Sequence, residues 1–261
     1  MIQRKAYKFR LVPKPEQRKK FAQFVGCNRV VWNKALFLAK QSLEKNQKVL
    51  NYASLCKEIT SWKKEEDSSF LKDADSQALQ QTAKDLGRAF KDFFKKHKGI
   101  PRFKKKGLHD SFRFPQRFKF VDDRVSLPKV GLVKFHKSQD IKGTPKNVTI
   151  SKRAGEWYMA AQVEMEVAEP KHPSDKEIGI DMGIANFATI SDGHILKPHN
   201  GYRANQEKLA KEQRKLARKK KGSKNQEKQK WKIQRLHKKI ADSRSDYLHK
   251  ASTWIAKTTA K

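Results

Sequence analysis

The sequence predicts an α+β protein of several domains. An antiparallel β domain holds an inserted helical block, and a mixed domain ending in a basic helical hairpin follows. Three observations carry this prediction. Apolar residues recur at helical spacing through residues 16–98, whereas short alternating runs broken by Gly, Pro and Asp fill residues 99–170. The segment EIGIDMGIANFATISDG (residues 177–193) sets one carboxylate, Asp181, in an apolar strand-like run and closes on an Asp-Gly turn. Lys and Arg number 61 against 27 Asp and Glu, a formal net charge of +34.

The elements follow in order. Residues 6–12 read as a strand, stopped by Pro13 and Pro15. From Glu16 the period changes, and Phe21, Phe24, Val25, Val31, Trp32, Ala35, Leu38 and Ala39 form one broad helical face that Gly26 interrupts. Ser54 is a candidate N-cap for a second helix with Leu55, Ile59 and Trp62 inward. Ser76 is a candidate cap for a third, running through Leu79, Ala83, Leu86 and Phe90. Short strands are then expected at 111–114, 118–121, 124–127, 131–135, 147–151 and 157–166. They make a small antiparallel barrel or sandwich, to which the first strand is expected to belong. Residues 169–175, EPKHPSD, read as a linker.

The mixed domain is expected from Lys176. Its first strand carries Asp181, whose burial would demand a metal ion or a donor partner. A second strand lies within 184–190 and a third at 194–197, with Asp192 as the turn residue of the hairpin between them. Two helices, 204–221 and 225–260, are separated by Gly222-Ser223. Ile233, Ile240, Tyr247 and Trp254 repeat every seven residues and predict a seam against the shorter helix, which offers Leu209 and Leu216.

Two zones hold much of the positive charge. Residues 202–261 contain 20 Lys and Arg against five acids, and residues 88–137 contain 16 against four. Solvated helix faces mix signs to form i,i+4 pairs, so this imbalance points to a polyanion. Candidate nucleic-acid contacts are Lys8, Arg10, Arg102, Lys104, Arg113, Arg218, Lys219, Lys220 and Lys221. Phe103, Phe112 and Phe114 interleave with these cations but are expected to pack inward, as strand aromatics do. An anionic membrane fits less well, because the charge is spread over many elements rather than held on one amphipathic helix. The two cysteines, Cys27 and Cys56, lack partners at metal-ligand spacing, so neither zinc nor a disulfide is expected. The N-terminus has no signal-peptide core, and no apolar run is long enough to span a bilayer. A soluble protein of a bacterial or archaeal cytoplasm is expected.

Four stretches together resemble the TnpB (OrfB) family of insertion-sequence proteins, which are RNA-guided DNA nucleases long catalogued as transposases. They are KAYKFRLVPKPEQ (5–17), KDLGRAFKDFFKKHKGIPRFKKK with the following SFRFP, EIGIDMGIANFATISDG, and KLARKKKGSKNQEKQKWKIQRLHKKIADSRSDYLHKAS (215–252). The resemblance implies names for the blocks. Residues 1–15 and 99–170 become an antiparallel β wedge barrel, 16–98 a helical recognition insert, and 176–261 a partial RNase H-like (RuvC) domain with its basic helical hairpin. It implies a guide RNA made from the transposon's own end, target DNA, and Mg²⁺ as cofactor. Asp181 matches the first of three catalytic, metal-holding carboxylates.

The family's other two carboxylates, a Glu and a final Asp, and its four-cysteine knuckle have no counterpart before Lys261, so the chain reads as a C-terminally truncated member. Two-metal hydrolysis needs several carboxylates, and the expectation is that this chain alone does not cut DNA. A non-catalytic nucleic-acid-binding remnant or regulator is the alternative. IGIDMGIAN also resembles the first phosphate motif of actin-like ATPases and sugar kinases, but Ala185 stands where those carry Thr or Ser.

Overall fold

The structure is a computed structural model that describes residues 1–169 and 177–258. The expected linker falls outside the described residues but for Glu169, as do Lys176, the last two residues of the expected second hairpin helix and Lys261. Two compact units result, Met1–Val167 and Ala168–Lys261.

The first unit is organised on a seven-stranded, wholly antiparallel sheet. Strand β1 (Ile2–Val12) leads into helices α1 (Pro15–Glu44) and α2 (Tyr52–Trp62), a 3₁₀ segment (Glu66–Asp73) and α3 (Ser76–Phe94). Six strands follow: β2 (Ser111–Phe114), β3 (Lys119–Val121), β4 (Arg124–Leu127), β5 (Gly131–Phe135), β6 (Thr144–Arg153) and β7 (Glu156–Glu166). The spatial order is β2-β6-β7-β1-β5-β4-β3. Strand β1 lies at the centre and is separated from its neighbours in sequence by the whole helical block, as expected. It begins four residues earlier than its pattern suggests, because Ile2–Lys5 continue the pairing with Val163–Glu166 of β7 although their side chains are exposed. The order is linear from β2 to β3 with no closing pair among the described residues, an open sheet where a small barrel or sandwich was expected.

Alternation along β1 sends Tyr7, Phe9 and Leu11 inward and Lys8 and Arg10 outward. The helices pack on the inner face. Phe21 and Phe24 of α1 meet Phe112 at 5.8 and 5.4 Å between ring centroids, and Phe21 meets Trp157 at 5.0 Å. Helix and sheet thus share one core, from Tyr7 through Leu86 to Val163.

Local rules explain most element ends. Helix α1 runs unbroken through Gly26, since one glycine costs only about 1 kcal/mol in a helix whose face is buried. The caps lie ahead of the serines the sequence suggested, three residues before Ser54 and one before Ser76. Asn51 accepts from the Ser54 amide (2.9 Å), and Asp75 accepts from the amides of Gln77 (3.0 Å) and Ala78 (3.2 Å). A capping side chain belongs to the residue just outside the helix, whereas Ser54 itself carries one of the capped amides and Ser76 is already the first helical residue.

The second unit carries a three-stranded antiparallel meander, β8 (Ile180–Asp181), β9 (Ala188–Ile190) and β10 (Ile195–Leu196), in the order β10-β9-β8. Gly193 (φ +90°) makes the turn before β10. Helices α4 (Gln206–Ala217) and α5 (Lys224–Thr258) form the basic hairpin around Gly222 (φ +81°). The heptad seam of α5 splits. Ile233, Leu236 and Ile240 pack with Leu209 and Leu216 of α4. Tyr247 instead meets the rings of Phe187 (5.2 Å) and His199 (5.4 Å), and Trp254 meets His194 (5.2 Å). Twelve residues of α4 reach about 18 Å and 35 of α5 about 52 Å, so α4 ends before the seam does.

Candidate nucleic-acid interface

The cations predicted from sequence fall on three surfaces. On the first unit's sheet, Lys8, Arg10 and Arg113 share the face opposite the core. Pairing sets Arg113, Thr149, Ala160 and Lys8 in one row across four strands. Neighbouring strands are about 4.8 Å apart, so the two cations of that row are separated by roughly 14 Å. Each is partnered. Lys8 lies over the Tyr158 ring (5.2 Å), and Arg113 lies 3.7 Å from Asp85 of α3. Arg10 reaches Glu156 (3.2 Å) and His136 Nε2 (2.8 Å).

Arg102 and Lys104 sit on the loop after α3, which is fastened to α1. The Trp32 indole donates to the Arg102 carbonyl (3.0 Å), and Asn33 exchanges two hydrogen bonds with the Lys104 backbone (3.1 and 2.8 Å). The Arg102 side chain is exposed. That of Lys104 is half-buried, with its ammonium 4.1 Å from the centre of the Trp32 ring, and burial holds its pKa below the usual lysine range. Phe112 and Phe114 are core residues as expected, but Phe103 is not. It is 45% exposed with the Lys40 ammonium 4.9 Å above it. Phe103 belongs to no strand, so the inward rule for strand aromatics does not govern it.

The third surface is the hairpin. Arg218, Lys219, Lys220 and Lys221 occupy the end of α4 and the turn, all exposed and none with an acidic partner among the described residues. Along α4 runs a groove of about 1030 Å³ lined by Arg203, Lys208, Lys211, Arg214 and Lys215 with Glu207 and Glu212. Glu212 is committed to Lys215 (2.8 Å) and to Gln229 of α5 (2.6 Å), contacts that hold its carboxyl below the usual range. Asp242 pairs with Lys238 one turn before it, and Asp246 with Lys250 one turn after it.

Asp181 departs from expectation in one respect: it is exposed rather than buried. It ends a two-residue strand, opposite Thr189 of β9, and β8 has no other pairing among the described residues. Its neighbours share the exposure, with Ile180 at 44%, Met182 at 60% and Ile184 at 98%. The expected desolvation is therefore absent, and among the described residues no group of three His, Cys, Asp or Glu could hold a metal ion. Asp192 is the turn residue its context indicated. Its carboxylate accepts from the His194 amide (3.0 Å) and meets the His194 ring (3.1 Å), and the amide is the larger cause of its lowered pKa.

Comparison with known proteins decides the family. A family model described as "Probable transposase" (OrfB_IS605) matches residues 160–261, and a companion described as "Helix-turn-helix domain" (HTH_OrfB_IS605) matches residues 1–48. The chain is 44% identical over 257 residues to the Escherichia coli K12 protein named "Putative RNA-guided DNA endonuclease InsQ". This chain belongs to the OrfB (TnpB) family. A Streptomyces pristinaespiralis protein, "Putative RNA-guided DNA endonuclease", is 32% identical over 260 residues. These matches cover 98% and 97% of the OrfB chain, which spans 64% of the length of each relative. A solved Cas12f1 in complex with sgRNA and target DNA shares the mixed α/β fold with its large antiparallel sheet. Its TM-score is 0.52 at 12% identity, over 99% of the OrfB chain and 79% of the Cas12f1 chain. The helix-turn-helix description does not carry over as geometry, for residues 1–48 here form β1 and one continuous helix, α1.

Proposed function

We propose that this OrfB chain binds a guide RNA and target DNA as part of an RNA-guided DNA endonuclease. The observation that carries the reading is the 44% identity, sustained over 98% of the chain, to a protein named for that activity. The charge supports it, since +34 on 261 residues favours a partner that releases many counterions. In such systems base pairing supplies the sequence specificity and the protein grips the backbone, which suits many cations without a fixed pattern of base-reading side chains. A transcript from the transposon's own end is the proposed guide, and a bacterial or archaeal cytoplasm the proposed location. No helix among the described residues is long and apolar enough to cross a membrane. The test is to purify the chain from its host and sequence what accompanies it. One enriched transcript from the edge of the mobile element is the expected result. Random RNA, or none, would overturn the assignment.

Asp181 is assigned to the catalytic metal site as one of its carboxylates. Bound Mg²⁺ would activate water and stabilise the leaving oxygen, a task that takes several carboxylates. The described residues do not form such a set around Asp181. That observation favours binding without cutting for these 261 residues alone, the state of a non-catalytic remnant or regulator. With Mg²⁺ and the cognate RNA, no plasmid cleavage is expected. Cleavage that disappears in Asp181→Ala would show the site to be complete.

A further inference from the structure

The outward face of α5 carries a feature that cation counting does not capture. Gln229, Ile233, Leu236 and Ile240 are buried. At 3.6 residues per turn, Trp231 lies on the far side of the helix from them. It is 49% exposed, a costly setting for the side chain with the largest apolar surface. Lys228, one turn before it, and Arg235, one turn after, share that side, and Lys224 continues the row. All three are exposed. The side chains of Trp231, Lys224, Lys228 and Arg235 make no hydrogen bond, ion pair or ring contact among the described residues. Between Lys224 and Arg235 the helix carries one acid, Glu227; the next two, Asp242 and Asp246, are paired with Lys238 and Lys250. An open indole between cations roughly 10 Å apart along a rigid helix matches a base stacked between flanking phosphates. A protein partner would have to bring its own acids to meet this row of cations and a pocket for the indole, whereas a nucleotide strand carries both phosphates and a flat base; duplex DNA offers no free base face.

We propose that Trp231, with Lys224, Lys228 and Arg235, forms a stacking site for an unpaired nucleotide of single-stranded nucleic acid. The site rests on the proposed nucleic-acid function and adds to it the place where an unpaired base is held. The test measures anisotropy of short labelled oligo-U, oligo-dT and a duplex with the full chain, its W231A and W231F variants, and K228A and R235A. W231A weakens binding to single strands about tenfold and leaves duplex binding unchanged, while W231F retains most of the affinity. K228A and R235A each lower the slope of log affinity against log salt by about 0.7. Loss with oligo-U alone assigns the site to RNA, loss with oligo-dT alone to DNA, and equal loss shows stacking indifferent to the sugar. Single-strand affinity unchanged in W231A, with the wild type binding normally, overturns the site and leaves the wider function standing. An equal loss on duplex overturns it as well, because stacking is then not what Trp231 provides. A wild-type chain that binds neither single strand nor duplex removes both.

Discussion

The amide of Asn28 and the hydroxyl of Thr82 join α1 to α3 where no water reaches. Asn28 donates to the Phe24 carbonyl (2.8 Å) and its oxygen accepts from Thr82. Both residues are buried, so removing one partner leaves the other a full desolvation cost. Thr82→Val keeps the shape and strands the Asn28 oxygen; a loss of about 1–3 kcal/mol is expected in urea unfolding. Asp75 combines the α3 cap with an ion pair to Arg117 (2.7 Å). Arg117 is largely exposed, which leaves the cap as the main contribution. Asp75→Ala should cost about 1–2 kcal/mol and Asp75→Asn less, because the amide oxygen still caps. Cys27 is buried, and burial, with Asp73 nearby, raises its pKa to about 11. The thiol stays protonated in the fold while an unfolded chain loses its proton near pH 9. Its contribution to stability is therefore complete below pH 9 and lost as pH rises from about 9 to 11. In native protein at pH 8 a thiol reagent should modify the partly exposed Cys56 and spare Cys27 until denaturant is added.

Among the elements, the β6–β7 hairpin shows how two glycines with similar backbones differ. Gly155 (φ +83°) sits in the turn, and a Cβ there would meet nothing within 4 Å. Gly143 (φ +90°) precedes β6, and a Cβ there would lie 2.6 Å from the Glu164 carbonyl oxygen and 3.0 Å from Met165 Cβ. Gly155→Ala should cost about 1–2 kcal/mol, the strain of a left-handed residue. Gly143→Ala adds a clash with backbone that cannot step aside, and a clearly larger loss is expected in thermal unfolding. Length decides what α5 packs against. Its heptads continue beyond the reach of α4, and there Tyr247 and Trp254 pack against the rings of Phe187, His199 and His194 instead.

At the scale of the whole molecule, the first unit closes its own core. Residues 1–167 expressed alone should unfold cooperatively and protect Cys27 as the full chain does, which denaturant titration with thiol labelling would show. The second unit is sparer in apolar burial. Leu209, Ile233, Leu236 and Ile240 form its helical cluster, while Ile180, Met182 and Ile184 stay open to solvent around Asp181. Charge is a property of this scale too. If the cations meet a polyanion, affinity must fall linearly with log salt, and Asp181→Ala should leave that slope unchanged, since it removes no phosphate contact.

The sequence by itself determined the element order, the placement of the helical block within the sheet and the inward ring set of Phe21, Phe24, Phe112 and Phe114. Periodicity and turn chemistry are local, and local signals survive in a linear string. The family was legible for the same reason, since contiguous motifs carry it. Only the tertiary structure decided which side chains are free. Arg10 and Arg113 stand beside acids distant in sequence, Lys104 rests on Trp32, and Phe103 and Trp231 face outward. Asp181 lies in a run apolar enough to be buried, yet it is open because a strand is covered only by what packs against it. Burial depends on partners many residues away, and spacing along a chain does not record them.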